Sequence, residues 1–493
     1  MPEELSPSDS FRSRLRHQLQ KFFTFTRLIV KDRRFLPLAV SLLIGFAVKT
    51  FIFIWSLFVV ETTFLLSGLS THGVLIGVGD PLILEHYDDW SWYYYPFATQ
   101  FLEGHLPYTP ELYEIVPGHQ SYLYPPFFLY SLVTFFLFPG VYSLVGGIVF
   151  FDLISGICLY LITFRISHST FRASLAAVLY FLNPIAIWWT DFLWFAEAVF
   201  TTFLIISIFF LVEDQYTLAS VFMALATMTK QVAVIFVPVL FIFAYRKNLR
   251  TLVQSLIVFI SIILVISLPY LILMPFDYIS IIIGPAGPPL YSGIMPPWNM
   301  PVPLFASFWF LPIPIRDVIA FIIYSYMPLI ITLVLLYSLL LFTTTESSQQ
   351  LQYLFIGYAL LISLAFYSFF PRGIYKWYAV AIVPFLVLAT VILPRVKSPQ
   401  PSALTIFERV RYEFDYRLLI AIVTYFLVSF AFTWTHRWAG PGILFLSFVL
   451  FALYWFISGR RKIFTNHEFL IVHNQKTSKY KMNIKKEKEP ENN

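Results

Sequence analysis

Two adjacent carboxylates, Asp88 and Asp89, stand among a run of rings: Tyr87, Trp90, Trp92, Tyr93, Tyr94 and Tyr95. Neighbouring acids raise each other's affinity for a proton, which suits one of them to act as a general base. Flat aromatic faces suit sugar rings and lipid headgroups. A plainer reading is a helix cap. Residues 90–103 form a candidate short helix, ended by Gly104 with Pro107 beyond and blurred at its start by Pro96, and acids are favoured at a helix N-terminus. The chemical reading gains from its setting. The stretch 61–140 has no Lys or Arg, yet holds Asp80, Glu85, Asp88, Asp89, Glu103, Glu111 and Glu114.

A few cations fall on the same side of the membrane as that acidic stretch, in the topology drawn below. They are Lys230, Arg316, Arg372, Lys376 and Arg437. Lys230 sits between two short apolar runs. Arg372 and Lys376 are four apart, so on a helix they share a face. Lys230, Arg372 and Lys376 are candidates to hold an anionic group such as a lipid phosphate. Interfacial snorkelling is the alternative, and it fits Arg316 and Arg437 better. Asp191 and Glu197 flank a turn rich in tryptophan, with Trp188, Trp189 and Trp194. They form either an ordinary polar turn or a second acidic group facing the same cavity. Asp152 lies inside an apolar run and is expected to make a helix–helix hydrogen bond. His86, His105 and His119 have no zinc-site spacing. The stretch 284–301 is too rich in Pro and Gly for regular structure and is a candidate lid.

The elements that must position these groups are membrane helices. The 493 residues are 58% hydrophobic and only 12% charged, with a mean hydropathy of +0.75; soluble proteins carry roughly 25% charged residues. Aromatic residues reach 20%. Cys158 is the single cysteine, which excludes a disulfide framework and a Cys-based metal site. The net charge of +6 is accounted for by basic membrane loops and calls for no nucleic acid. Apolar runs predict about twelve spans, at 35–60, 141–164, 172–189, 194–212, 215–229, 231–245, 251–274, 317–342, 350–370, 375–394, 417–434 and 441–457. Several are short enough to imply tilt or a break. The stretch 125–140 is too short to span and reads as re-entrant or surface-lying.

The positive-inside rule then orients the chain. Residues 1–34 form a basic cytoplasmic tail. Residues 35–457 form the transmembrane domain, with a first extracytoplasmic loop at about 61–140. Residues 458–493 form a cytoplasmic, largely disordered tail. Arg165, Arg172, Arg246, Lys247, Arg250, Arg395, Lys397, Arg409 and Arg411 all fall on the cytoplasmic side of this map. The stretch 401–417 reads as a surface helix on that side. The lack of disulfides fits the plasma membrane of a prokaryote; in a eukaryote the expected membrane is that of the endoplasmic reticulum.

Between the acidic pair and the second span run Tyr93–Tyr94, then Gly104–His105–Leu106–Pro107–Tyr108, then Tyr122–Leu123–Tyr124–Pro125–Pro126. With Asn183–Pro184, Lys230–Gln231 and the turn holding Arg372 and Lys376, this order resembles the GT-C superfamily of membrane glycosyltransferases. It is most similar to the polyprenyl-phosphate-mannose-dependent branch, which includes the first mannosyltransferase of GPI-anchor assembly and prokaryotic relatives. The resemblance covers roughly residues 35–245, and its motifs are degenerate. It implies an all-α polytopic enzyme, an active site outside the cytoplasm, a polyprenyl (dolichyl) phosphate-linked sugar donor, a lipid or glycan acceptor, and inversion at the anomeric carbon. Carried over by position, the base is Asp89 or Asp88. Tyr93, Tyr94, Tyr108, Tyr124 and Asp191 would contact sugar or headgroup. Relatives often carry Asp-x-Asp where this chain has adjacent acids, so the choice of acid stays open, as does a divalent cation. Two other classes fit the composition: a transporter of lipid-linked sugar or polysaccharide, and a non-catalytic protein that binds lipid-linked sugar.

Overall fold

A computed structural model describes residues 35–67, 93–116, 122–134, 143–283, 376–393 and 416–434. It also covers most of 356–364 and isolated positions at 312–318, 414 and 446–453. Among the described residues there are helices and no strands. Five helical stretches are long and apolar enough to cross a membrane: Leu36–Ser56, Gly146–Ser167, Thr170–Phe192, Leu249–Leu273 and Tyr416–Thr433. The chain is an all-α membrane protein. The expected spans at 317–342 and 441–457 lie largely outside the described residues. So do Asp88, Asp89, Arg372, the 284–301 stretch and both tails.

In chain order the helices are α1 (Phe35–Ser67), α2 (Tyr95–Leu102), α3 (Pro110–Ile115), α4 (Pro126–Val133), α5 (Ser143–Ser167) and α6 (Thr170–Phe181). Then come α7 (Glu197–Val212), α8 (Tyr216–Thr229), α9 (Val237–Lys247), α10 (Leu249–Leu273), α11 (Pro275–Ile283), α12 (Val383–Ile392) and α13 (Tyr416–Trp434). Apolar α7 and α8 have 16 and 14 residues. At about 1.5 Å per residue they fall short of a hydrocarbon core of about 30 Å. They pair as an antiparallel hairpin, with α5 against α7 and α10 against α8.

Proline punctuates these helices. The expected span 231–245 is divided into a 3₁₀ turn, Gln231–Phe236, and α9, which carries Pro238 in its first turn. The same device recurs at Lys376–Ile382 and α12, with Pro384. Proline lacks an N–H but fits the first helical turn, so a new helix starts there. The two junctions touch where Phe236 stacks on Phe385, 5.1 Å between centroids. α4 has eight residues, too few to cross.

Of the loop helix expected at 90–103, the described residues begin at Tyr93. A π-helical turn at Tyr93 and Tyr94 leads into α2. Its end is as expected from Gly104, which has φ 98°. The amide of Gly104 donates to the carbonyl of Phe101, and that of His105 to Gln100, the two bonds that close a helix through a left-handed residue.

The bundle has two polar ends. At one, Arg165 pairs with Glu213 at 3.0 Å and Arg172 donates from Nη1 to the carbonyl of Val391 at 2.6 Å. At the other lie α2–α4, Lys230 and the Asn183 turn.

Candidate functional site

The deepest polar group is an ion cluster built by three elements. Lys49 projects from α1, Asp152 from α5, and Asp191 from a π-helical turn, Ile187–Phe192, that follows α6. All three side chains are fully buried. Lys49 Nζ lies 2.6 Å from Asp191 Oδ2 and also pairs with Asp152 Oδ2. The Tyr180 hydroxyl, on α6, donates to Asp152 Oδ1. Asp191 Oδ1 has no hydrogen-bond partner among the described residues.

Packing explains why these groups meet. Phe181 fills the space between α1 and α5, where Gly45 and Gly156 face it. A methyl at either glycine would overlap its ring. Gly45 is one turn before Lys49, and Gly156 one turn after Asp152, so residues four apart bring ring and charge onto one face. The Lys49 ammonium lies 5.9 Å from the centroid of the same ring.

Asp191 reaches the cluster because the third span is broken. Asn183 stops α6 and starts the next turn, accepting from the amides of Ile185 at 2.8 Å and Ala186 at 3.1 Å. Its Nδ2 donates to Tyr425 and Ser429 of α13 at 2.7 and 2.9 Å. The helix then widens: the amide of Leu193 donates to the carbonyl of Trp188. Single π turns of this kind recur at functional sites. Trp194 leaves the turn at φ 61°, with Nε1 donating to Ser56 of α1 at 2.9 Å.

A second cluster lies at the loop-bearing end. Glu197 opens α7, Lys230 closes α8, and the two pair. An acid at a helix N-terminus and a base at a C-terminus both suit the helix dipoles. The Glu197 side chain is 1% exposed and that of Lys230 13%, so the lysine is the member that reaches the surface. Its ammonium lies 5.6 Å from the ring centroids of both Tyr124 and Phe200.

The loop is strapped onto this pair. Leu123 donates its amide to the Tyr93 hydroxyl at 2.6 Å, and its carbonyl accepts from Gln231 Nε2 at 3.3 Å. The Tyr108 hydroxyl donates to the carbonyl of Tyr124 at 2.7 Å. Tyr108 also packs edge-on against Tyr122, Tyr270 and Tyr278. Burial, reinforced by neighbouring tyrosines, pushes the Tyr108 and Tyr122 hydroxyls well above the usual range. They act as neutral donors and acceptors, not bases.

The structure thus brings Tyr93, Tyr94, Tyr108, Tyr124 and Lys230 to one end. Tyr94 and Tyr108 are buried. Their rings fill the loop's own core. Asp191, expected at a polar turn, is buried in the ion cluster because α1 closes over it. Lys376 begins the 3₁₀ turn that packs against α7 and the π turn. Asp88, Asp89 and Arg372 lie outside the described residues. Lys49 was not foreseen; its signal was a lone charge inside an apolar run. Among the described residues no three His, Cys, Asp or Glu side chains are grouped to hold a metal. No protein-family model matches this chain, and no curated protein matches it.

Proposed function

We propose that this chain is a GT-C-like membrane glycosyltransferase of about twelve spans. It moves a hexose, mannose foremost, from a polyprenyl-phosphate carrier to an acceptor hydroxyl on the extracytoplasmic side, with inversion. One observation carries the reading: the Lys230 ammonium lies against Tyr124 of the first loop. The loop that bears the acidic pair and a cation far downstream in sequence therefore share one end of the bundle. Asp89 is four residues before Tyr93 in the chain.

The chemistry follows from that juxtaposition. An acceptor hydroxyl is a poor nucleophile at neutral pH and needs a base, a contribution of roughly 10²–10⁴-fold. Asp89 or Asp88 is that base. The leaving group is a lipid phosphate, whose charge needs only a fixed cation. Lys230 supplies it from its exposed side, with Glu197 behind; Arg372 and Lys376 are the other candidates. The carrier's tail stays in the bilayer.

The test is transfer of labelled hexose from a polyprenyl-phosphate donor by membranes carrying the full chain. Asp88→Asn or Asp89→Asn should cost roughly 10²-fold or more. Full activity in both variants removes the base assignment. A wild-type chain that binds the donor but never transfers sugar is a binding protein. The buried lysine and the broken third span specifically favour one other reading, a transporter of lipid-linked sugar. Donor flux across vesicles without transfer would establish it instead.

A further inference from the structure

The charges in the deep cluster do not balance. Lys49 contributes one positive charge, and Asp152 and Asp191, both ionised, would contribute two negative ones, with all three side chains fully buried. An uncompensated charge is among the most costly contents of a protein interior, and hydrocarbon around the bundle makes it more so. Among the described side chains, Asp152 and Asp191 pair with no cation but Lys49; Arg165 on α5 pairs with Glu213, and Arg172 on α6 donates to the Val391 carbonyl. Tyr180 on α6 is a neutral donor to Asp152. Glu197 on α7 is already matched by Lys230.

The hydrogen bonds are uneven in the same sense. Asp152 accepts from Tyr180 on Oδ1 and pairs with Lys49 through Oδ2, and both contacts favour its ionised form. Asp191 receives Lys49 on Oδ2 and no second donor; Asp152 Oδ2 and Asp191 Oδ1 alike have no hydrogen-bond partner among the described residues, so the Tyr180 hydroxyl is what sets the two acids apart. We propose that the Lys49–Asp152–Asp191 cluster is a proton-binding site that holds one proton, carried on Asp191, and is neutral as a whole. Loss of that proton would leave a buried negative charge between α1, α5 and the π turn. The site thereby ties protonation to the spacing of three membrane elements. It stands independently of the sugar-transfer reading.

Infrared spectroscopy of the full-length protein in lipid nanodiscs at pH 7 tests this directly. A protonated carboxylic acid has a C=O stretch well separated from carboxylate bands. The wild type should show such a band, and it should shift when aspartate is labelled with ¹³C at the side-chain carboxyl. The band should vanish in Asp191→Asn and in Asp152→Asn, because either change leaves one carboxylate for Lys49. Absence of a ¹³C-aspartate-sensitive acid band in the wild type overturns the proposal. So does its survival in both variants. Should neither variant fold, the labelled wild type decides alone.

Thermal melts give a second readout. A folded state that holds a proton the unfolded chain releases has its full stability below the ordinary aspartate range, about pH 4, and loses it as pH rises. The wild-type Tm should therefore fall more steeply with rising pH than that of Asp191→Asn. Equal slopes count against the site.

Discussion

Asp191 and Glu197 are six positions apart in the chain, yet they belong to two ion clusters of opposite character. The Lys49 cluster is sealed: no member is exposed, acids outnumber the base, and a phenylalanine wedged between two glycines sets its geometry. The Lys230 cluster is one acid against one base, its lysine partly exposed beside the first loop. Burial and balance together assign the work. A sealed cluster can organise helices and hold a proton but has no surface on which to meet a sugar or a phosphate. A balanced pair with one open member can both organise helices and meet a ligand. The turn between them, with its π-helical widening and the left-handed Trp194, links the foundation to the mouth.

The comparison is tested most severely by Lys49→Met. It leaves two buried carboxylates with no cation, and breaking a buried ion pair from one side costs about 3–5 kcal/mol. We expect the largest fall in Tm of any single change considered, or loss of monodisperse protein in detergent. If Lys49→Met melts no earlier than Lys230→Gln, the sealed cluster is not the foundation.

The mouth should respond asymmetrically. Lys230→Gln strands the nearly inaccessible Glu197, whose Oε2 already has no hydrogen-bond partner among the described residues. Glu197→Gln leaves a lysine that reaches solvent and keeps its ring contacts. We expect about 2–3 kcal/mol for the first and about 1 kcal/mol for the second, compared by Tm in one detergent. The reverse order would mean that the lysine, not the glutamate, is the desolvated partner, and that it is poorly placed to meet a phosphate.

How much of this could be read from the residues differs between the clusters. The helices were legible where local chemistry sets them. Residues 251–274 and 417–434 were expected, and Leu249–Leu273 and Tyr416–Trp434 are found. Gly104 ends its helix as a residue free to adopt positive φ should. Lys230 and Glu197 were legible as charges at the ends of apolar runs. The pairing of Lys49 with Asp191 was not, because 142 residues separate them and no periodicity links a lone lysine to a distant acid. The packing of the tyrosines was not legible for a related reason. Composition records that rings are present, but only tertiary packing decides what they touch: Tyr94 packs on Tyr124, and Tyr108 edge-on against Tyr122.

The smallest effect belongs to the opposite end of the bundle. Arg165 and Glu213 form an ion pair at 3.0 Å, but the arginine side chain is 46% exposed. Such pairs contribute about 0–1 kcal/mol and weaken with salt, so Arg165→Gln should lower stability only slightly. Its pH dependence is more telling than its size. Burial raises the Glu213 carboxyl, Arg165 opposes that rise, and Asp214 adds to it. A raised acid is at its most stabilising below its unfolded range, about pH 4, and loses that contribution as pH climbs. Removing Arg165 raises Glu213 further. Variant and wild type should therefore melt together near pH 4 and separate modestly by pH 8. A gap that instead widens toward acid would mean the arginine acts through another partner, and the contrast between this exposed pair and the two clusters at and below the loop-bearing end would have to be redrawn.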